Sequence, residues 1–341
     1  MAQATNFYPS QNVSVWYQKE TTSGALPDDA GLKKLQTTSF TIPEASVPVE
    51  YSAQRSGQFV TTANQGHHSE GTKLWTFDTT LRGTTTSVLL ALESLFEDST
   101  TSPRVLQNTY EFPHASYTNG STSSPNTFDI RFVNAGADSA TETVECAGCI
   151  ATGFTLAQDI ASEGGELVCT INWATAYMPT HSGDDISSAE YDTGTPKNIR
   201  NLKDTKTFIN GGSNEELVVS SWELNVSRTI ERVHYKDTTS GTFAPFGYAM
   251  VGSFEITGSI TAIRNDDVHD LLAKFYDGNT VSIQLSENTE TDFKIVLGKC
   301  FLNEPSVDSG GAVLTQIIPF TVVADDNIGS ASDVVSINCA N

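Results

Sequence analysis

One run of elements occurs twice in this chain, and that repetition limits the folds it can adopt. Residues 75–98 and residues 254–278 both read as an alternating strand, a polar cluster that can cap a helix, and a short amphipathic helix. The apolar residues of each helix recur at i, i+3, i+4 and i+7: Val88, Ala91, Leu92 and Leu95 in the first copy, and Val268, Leu271, Leu272 and Phe275 in the second. Because an apolar stripe must be buried, each helix is predicted to pack on a sheet.

The same order continues beyond the two helices. Each is followed by a strand with three apolar residues on one face, a strand containing a cysteine, a diglycine turn and a closing strand. These features are residues 128–132, Cys149, Gly164 with Gly165, and Trp173 in the first copy, and residues 281–285, Cys300, Gly310 with Gly311, and Phe320 in the second. A shared order of this length indicates an internal duplication.

A duplicated run of strands in 341 residues predicts two domains rather than one. Thr, Ser, Gly and Asn are abundant and further helix-forming runs are hard to find, so we expect a mainly β chain. It should contain two tandem β-sandwich or barrel domains, each flanked by one α-helix. The predicted boundaries are an N-terminal arm at 1–35, a first domain at 36–180 with a surface insertion at about 99–127, a linker at 181–214, a second domain at 215–325 and a C-terminal tail at 326–341.

The predicted N-terminal arm carries four aromatic residues, Phe7, Tyr8, Trp16 and Tyr17. A free tail would leave this apolar surface in water. We therefore expect the arm to dock on a neighbouring subunit, and the final stretch after Asp325 to lie at the surface.

The charge balance excludes one large class of functions. With 19 basic against 41 acidic residues, the formal net charge is -22, and binding to nucleic acid by phosphate neutralisation needs the opposite sign. Two interpretations stay open: a solubility surface suited to a salty medium, and a surface past which DNA slides without sticking. The sequence shows neither a targeting segment nor an apolar stretch able to span a bilayer, so we expect a soluble protein made in a cytoplasm and without a membrane partner.

Two local patterns suggest chemistry but lack the partners that chemistry requires. Cys146 and Cys149 have the spacing of a zinc half-site or a redox pair, yet no further ligands follow at suitable spacing, and a structural role is predicted. Ser309 before Gly310 and Gly311 is similar to a serine-protease nucleophile segment, but no histidine stands in a matching motif. We therefore assign no catalytic, cofactor-binding or metal-binding residue and predict that the protein is not an enzyme.

Two strands of the second copy have one apolar and one polar face. In 221–227 the apolar face is Trp222, Leu224 and Val226. The polar faces of this strand and of 254–261 are the candidate channel-facing residues: Ser221, Glu223, Asn225, Ser227, Glu255, Thr257, Ser259 and Thr261. The plainer interpretation is a solvated sandwich face, and the functional one is the wall of a water-filled channel formed when many copies join their sheets edge to edge.

The order and spacing of these features resemble the major tail tube proteins of long-tailed, siphovirus-like bacteriophages. The resemblance covers about residues 36–325 and is a pattern of order rather than a short motif. Its parts are the early strand at 49–55, the strand at 74–82, the helix at 88–96, the strand at 149–156, the Gly164–Gly165 turn, the segment 222–228, and the glycine-rich continuation through Pro245, Phe246 and Gly247 to Gly252 and Gly258.

The resemblance implies a structural virion protein that polymerises as stacked rings into the phage tail tube, the channel for DNA ejection. Each copy would be a tube domain, and a duplicated chain implies a homotrimeric ring with pseudo-sixfold symmetry, with a hexamer as the alternative. The implied partners are further copies of the chain and the tail terminator, tape measure and distal tail proteins, while genomic DNA passes through without specific binding. The implied location is the virion tail, assembled in the bacterial cytoplasm. The competing predictions are a capsid-decoration or adhesion β-module of a virion and, as a further class, an enzyme whose site is assembled from scattered residues.

Overall fold

The chain is mainly β in its computed structural model, with two α-helices among the residues that the structure describes. The structure describes residues 13–21, 24–26, 31–44, 49–51, 66–68, 74–95, 104–107, 127–134, 143–161, 165–182, 205–209, 216–236, 243–287, 293–311, 313–324 and 333–339. The helices are α1 (Thr85–Leu95) and α2 (Asp266–Tyr276). The strands are β1 (Val13–Lys19), β2 (Lys33–Lys34), β3 (Thr37–Phe40), β4 (Val49–Tyr51), β5 (Gly66–His68), β6 (Trp75–Arg82), β7 (Arg104–Gln107), β8 (Phe128–Asn134), β9 (Thr143–Asp159), β10 (Val168–Thr175), β11 (Thr180–Ser182), β12 (Thr205–Ile209), β13 (Glu216–Leu217), β14 (Val219–Lys236), β15 (Phe243–Ile263), β16 (Val281–Glu287), β17 (Phe293–Leu302), β18 (Ser306–Asp308), β19 (Thr315–Val322) and β20 (Asp333–Cys339).

Eight strands lie side by side in an order that repeats itself halfway. The order is β3, β6, β10 and β9 from the first half of the chain, followed by β14, β15, β19 and β18 from the second half. All seven pairings are antiparallel. The junction is the pairing of β9 with β14, which makes the two halves one continuous sheet.

A second group of strands repeats in the same way. In the first half β1 lies between β2 and β8, and β8 pairs with the beginning of β9. In the second half β12 lies between β13 and β16, and β16 pairs with β17. The register repeats as well, since Phe128 faces Cys149 and Val281 faces Cys300.

The predicted alternation of buried and exposed side chains along a strand is confirmed in β6. In β6 the side chains of Trp75, Phe77, Thr79 and Leu81 are buried, and those between them are partly or fully exposed. The apolar faces of both halves form one hydrophobic cluster. One core is therefore shared by both halves of the chain.

Both predicted helices are present, and both pack on the apolar side of the sheet. Helix α1 contacts β9 and β10, and the Cys169 thiol of β10 lies 3.8 Å from the Ser87 carbonyl oxygen. In α2 the buried residues are Val268, Leu271 and Leu272, which belong to the shared core. Each helix begins at a polar cap: Asn265 Oδ1 accepts from the Val268 amide at 3.0 Å, and Thr84 Oγ1 accepts from the Ser87 amide at 3.2 Å.

The mainly β prediction is confirmed, whereas the two expected domains are not separated in the strand pairing. Apart from the β4·β5 hairpin, the described strands form one 18-stranded sheet, which is not closed into a barrel. The reason is the pairing of β9 with β14, in which the end of β9, Gly153 to Asp159, pairs with Ser221 to Ser227 near the beginning of β14 and leaves no gap between the halves.

Four segments expected to lie outside the two domain cores contribute strands to this sheet. Within 1–35, β1 and β2 pair with each other, and Val15 and Trp16 are buried in the chain itself, so docking on a neighbouring subunit does not hold for them. Phe7 and Tyr8 lie outside the described residues. Within the expected linker, β12 pairs with β16, and within the expected surface insertion, β7 pairs with β20. Strand β20 itself lies in the expected C-terminal tail, where it also pairs with β17 and buries Val335 and Ile337 in the core. The expectation that the stretch after Asp325 lies at the surface is therefore wrong for these residues. Long-range pairing partners of this kind leave no local signal in a sequence.

Candidate functional site

The eight candidate residues form one patch on two adjacent strands. They are direct cross-strand partners: Ser221 faces Thr261, Glu223 faces Ser259, Asn225 faces Thr257, and Ser227 faces Glu255. All eight are partly or fully exposed. Residues that alternate with them, Trp222, Leu224 and Val226, are buried. The predicted division of these strands into a core face and a wet face is therefore present.

The patch is part of a polar face that continues across six strands, from β6 to β19. A row of five threonines and one asparagine crosses it, each facing the next: Thr80, Thr170, Thr155, Asn225, Thr257 and Thr321. All six side chains are partly exposed. We call this set the threonine row; three of its members come from each half of the chain. Sequence reasoning found only the two members of the row on β14 and β15.

Side-chain hydrogen bonds connect the residues of the polar face to one another. Thr80 and Thr170 hydroxyls lie 3.2 Å apart, and Thr155 Oγ1 donates to Asn225 Oδ1 at 2.6 Å. Asn225 Nδ2 in turn donates to Glu223 Oε1 at 2.5 Å. The face therefore presents an ordered layer of hydroxyl and amide groups, without requiring a ligand to satisfy them.

The charges on the polar face are mostly negative. Asp78 on β6, Asp159 on β9, Glu223 and Glu255 share this side of the sheet by cross-strand register. Arg82 is also on it, but its guanidinium is paired with Glu166, with Nε donating to Oε2 at 2.9 Å. A polyanion approaching the described strands β6, β9, β14 and β15 from this side would therefore meet carboxylates and hydroxyls.

A buried ionic cluster lies in the first half, and sequence reasoning missed it. Arg131 Nε is 2.7 Å from Asp129 Oδ2, and Arg131 Nη1 is 3.5 Å from Glu145 Oε1, with all three side chains buried. Glu20 lies nearby and accepts hydrogen bonds from the Thr127 hydroxyl and the Gly148 amide, both at 2.6 Å, and from the Gly24 amide at 2.8 Å. These contacts tie the end of β1 to β8 and β9.

Burial changes the acidity of two of these carboxyl groups. It raises the pKa of Asp129 to about 7, because desolvation outweighs the opposing effect of the Arg131 guanidinium. Desolvation also raises the pKa of Glu20, against its three hydrogen bonds. The alternation of Asp129 and Arg131 with the apolar residues of β8 predicts a solvated face, whereas both side chains are buried in the structure.

The residues weighed for chemistry in the sequence have structural surroundings. Cys146 and Cys149 are free thiols and fully buried, and the Cys149 thiol donates to the Cys146 carbonyl at 3.0 Å. Burial raises the pKa of the Cys300 thiol to about 12. Ser309 and Gly310 are exposed in the turn between β18 and β19, where the Gly310 amide donates to Asp308 at 2.8 Å. Among the residues that the structure describes, no group of three or more His, Cys, Asp or Glu side chains is arranged to hold a metal ion.

No family model matches the chain, and no curated protein matches it. No helix within the described ranges is long and apolar enough to cross a membrane. Any functional assignment therefore depends on the geometry of the polar face and on the resemblance in order and spacing.

Proposed function

We propose that this protein is the structural subunit of a phage tail tube, with two tandem tube-type units per chain, and that the polar face lines the channel through which DNA is ejected. The observation that carries the proposal is the threonine row, which crosses six adjacent strands, three from each half, without interruption at the junction of the two halves. A wall made by repeating such sets would be polar all the way round. Both helices lie on the other side of the sheet, so none would obstruct the channel.

The chemistry of the face suits passage of DNA rather than binding. Carboxylates repel phosphate, and the Arg82 guanidinium is already paired with Glu166. DNA would therefore slide past without attractive contacts of roughly 1 kcal/mol or more at each phosphate charge. Three chains with two units each would make a ring with pseudo-sixfold symmetry. Stacked rings would meet the terminator, tape measure and distal proteins at the tube ends and along the channel, and the tube would be part of the virion tail.

Electron microscopy of the purified chain tests the proposal. Stacked rings with an axial hole are expected, while isolated particles or a lattice without a hole would overturn it and favour a decoration or adhesion module. Replacing Glu223 and Glu255 with Lys should leave rings intact and make tubes retain DNA at low salt, an effect that added salt weakens. Asp270→Lys with Asp277→Lys is the matched control, because it makes the same charge change on exposed positions at helix α2.

A further inference from the structure

The junction between the two halves is a specific antiparallel pairing, which we call the internal seam. It pairs Gly153 to Asp159 of β9 with Ser221 to Ser227 of β14. On the apolar side Leu156 faces Leu224, and both are fully buried. The seam also contains a buried hydrogen bond, from Trp222 Nε1 to Gln158 Oε1 at 2.7 Å.

The strand that contributes one side of the internal seam, β14, has a counterpart in β3. Trp222 faces Ile260 on β15, and in the same way Phe40 faces Thr79 on β6. In both pairings a one-residue irregularity precedes this position, between Val219 and Ser221 in β14 and between Thr37 and Ser39 in β3. The correspondence continues past the end of β3, where the Thr41 amide donates to the Asp78 carbonyl at 3.0 Å. Counting along the chain, the residue equivalent to Leu224 is Ile42.

The other side of the internal seam, β9, has its counterpart in β17 continued by β18. Cys169 faces Leu156, and its equivalent Gln316 faces Val307. That equivalence is fixed by the ends of the closing strands, where Trp173 faces Ala151 and Phe320 faces Leu302. The residue equivalent to Leu156 is therefore Val307.

Both counterparts are open edges in the single chain. Within the described ranges β3 pairs only with β6, and β18 pairs only with β19. Ile42 is 40% exposed and Val307 is 50% exposed, although the residues that they repeat are fully buried. An apolar residue on an open strand edge is a template for pairing with another strand.

We infer that β18 of one copy of the chain pairs antiparallel with the β3 edge of a second copy, in the register of the internal seam, with Val307 opposite Ile42. The inference rests on the proposed function in naming further copies as the partner, and it specifies which edges meet. The pairing is head-to-tail because the two edges differ, so it leads to a ring if the rotation closes and to a filament if it does not.

The seam between chains should be weaker than the internal one. Pro43 and Pro305 flank the pairing residues, and proline shortens the usable stretch of an edge strand. In addition, β7 and β20 join the two halves at a second place. In the first half β7 lies between α1 and β8, whereas in the second half β16 follows α2 directly. The pairing between chains therefore has no counterpart of β7 to strengthen it. Assemblies are therefore expected to dissociate into whole, folded chains.

A cysteine cross-link tests the register. The double variant Ile42→Cys with Val307→Cys, oxidised gently at a concentration where the wild type associates, should give a ladder of covalent oligomers on a non-reducing gel. The matched control is Ile42→Cys with Ser309→Cys, which shifts one partner by two residues along the same edge and should give at most one tenth as much ladder. Equal ladders from both pairs, or none from the first, would overturn the register.

Edge-blocking variants test the direction of pairing. Ile42→Asp blocks one edge and Val307→Asp the other, and both positions are exposed enough for each variant to keep its fold, which circular dichroism checks. Each variant alone should be monomeric in sedimentation, while an equal mixture should form dimers and nothing larger, because one open edge of each kind remains. Variants that assemble like the wild type, a mixture that stays monomeric, or a wild type that never associates would each overturn the inference.

The pairing between chains and the proposed DNA conduit can each be rejected without rejecting the other. Chains that cross-link at Ile42 and Val307 but form filaments without an axial hole would retain the seam and reject the conduit. Rings with an axial hole that form without this cross-link would retain the conduit and reject the seam.

Discussion

Helices α1 and α2 occupy the same place in the repeated order, yet their surroundings differ. Helix α1 is covered on its own side by β9 and β10 and also contacts β20 from the other half. Its Leu90 and Ser94 are buried, whereas the equivalent Asp270 and Lys274 of α2 are exposed or partly exposed. The two copies thus keep the same strand order, but helix α1 is packed between neighbouring elements and helix α2 keeps one side exposed to solvent.

The outer face of the equivalent strands β8 and β16 shows the same contrast. The first half buries Asp129 and Arg131 there, and the second half has the partly exposed Ser282 and Gln284 at the equivalent positions. A buried ion pair costs more to break than an exposed polar pair does, because the remaining charge has no access to water. The first half is therefore expected to be more sensitive to substitution than the second.

The largest expected effect separates the two helices. Leu92→Asp should lose about 5 kcal/mol or more of unfolding free energy, because a charge would replace a fully buried side chain. Leu272→Asp should cost about half as much, since α2 has a solvent-exposed side that the carboxylate can reach. Urea titration gives both values, and the exposed Tyr276→Asp is the control. Equal losses in the two helices would remove the contrast.

The ionic cluster should give the next largest effect. Arg131→Met leaves Asp129 and Glu145 buried without their cation and should cost about 3–5 kcal/mol. The equivalent change in the second half, Gln284→Met, should cost about 1 kcal/mol or less. Thermal and urea unfolding would show whether the first half is the more sensitive. A mild Arg131→Met would mean that water reaches the cluster.

The cluster also predicts how stability depends on pH. Asp129 has a folded-state pKa of about 7, above its unfolded value, so the folded chain binds this proton more tightly. Its contribution is fully present near pH 4 and is lost as the pH rises to about 7. Between pH 5 and pH 8 the wild type should lose roughly 2–3 kcal/mol relative to Asp129→Asn. Parallel stability curves for the two proteins would contradict the raised pKa.

The smallest expected effect concerns the helix caps. Asn265→Ala removes the acceptor of the Val268 amide and should cost about 1 kcal/mol. The two caps are compared by amide hydrogen exchange in the first turn of each helix. Because α2 is packed on one face only, Asn265→Ala should accelerate exchange in α2 more than Thr84→Ala accelerates exchange in α1. Equal acceleration would show that burial of α1 adds nothing to the order of its first turn.

The features that could be read from the sequence are the local ones. The helix spacing at Leu92 and Leu272, the alternation around Trp222 and the cap at Asn265 follow from periods of 3.6 and 2 and from a residue's own hydrogen-bonding groups. The same alternation placed all eight candidate residues on one face. Whether that face lines a channel stays a prediction.

The sequence by itself determined the order of elements, their repetition and which side of each strand is apolar, because these depend on neighbours within a few residues. Only the tertiary structure decided that β9 pairs with β14, that β7 crosses to β20, and that Asp129 and Arg131 are buried. Such pairings join residues far apart in sequence, and many strands offer similar edges. The choice among them is made by the summed burial of the whole sheet, which no local pattern contains.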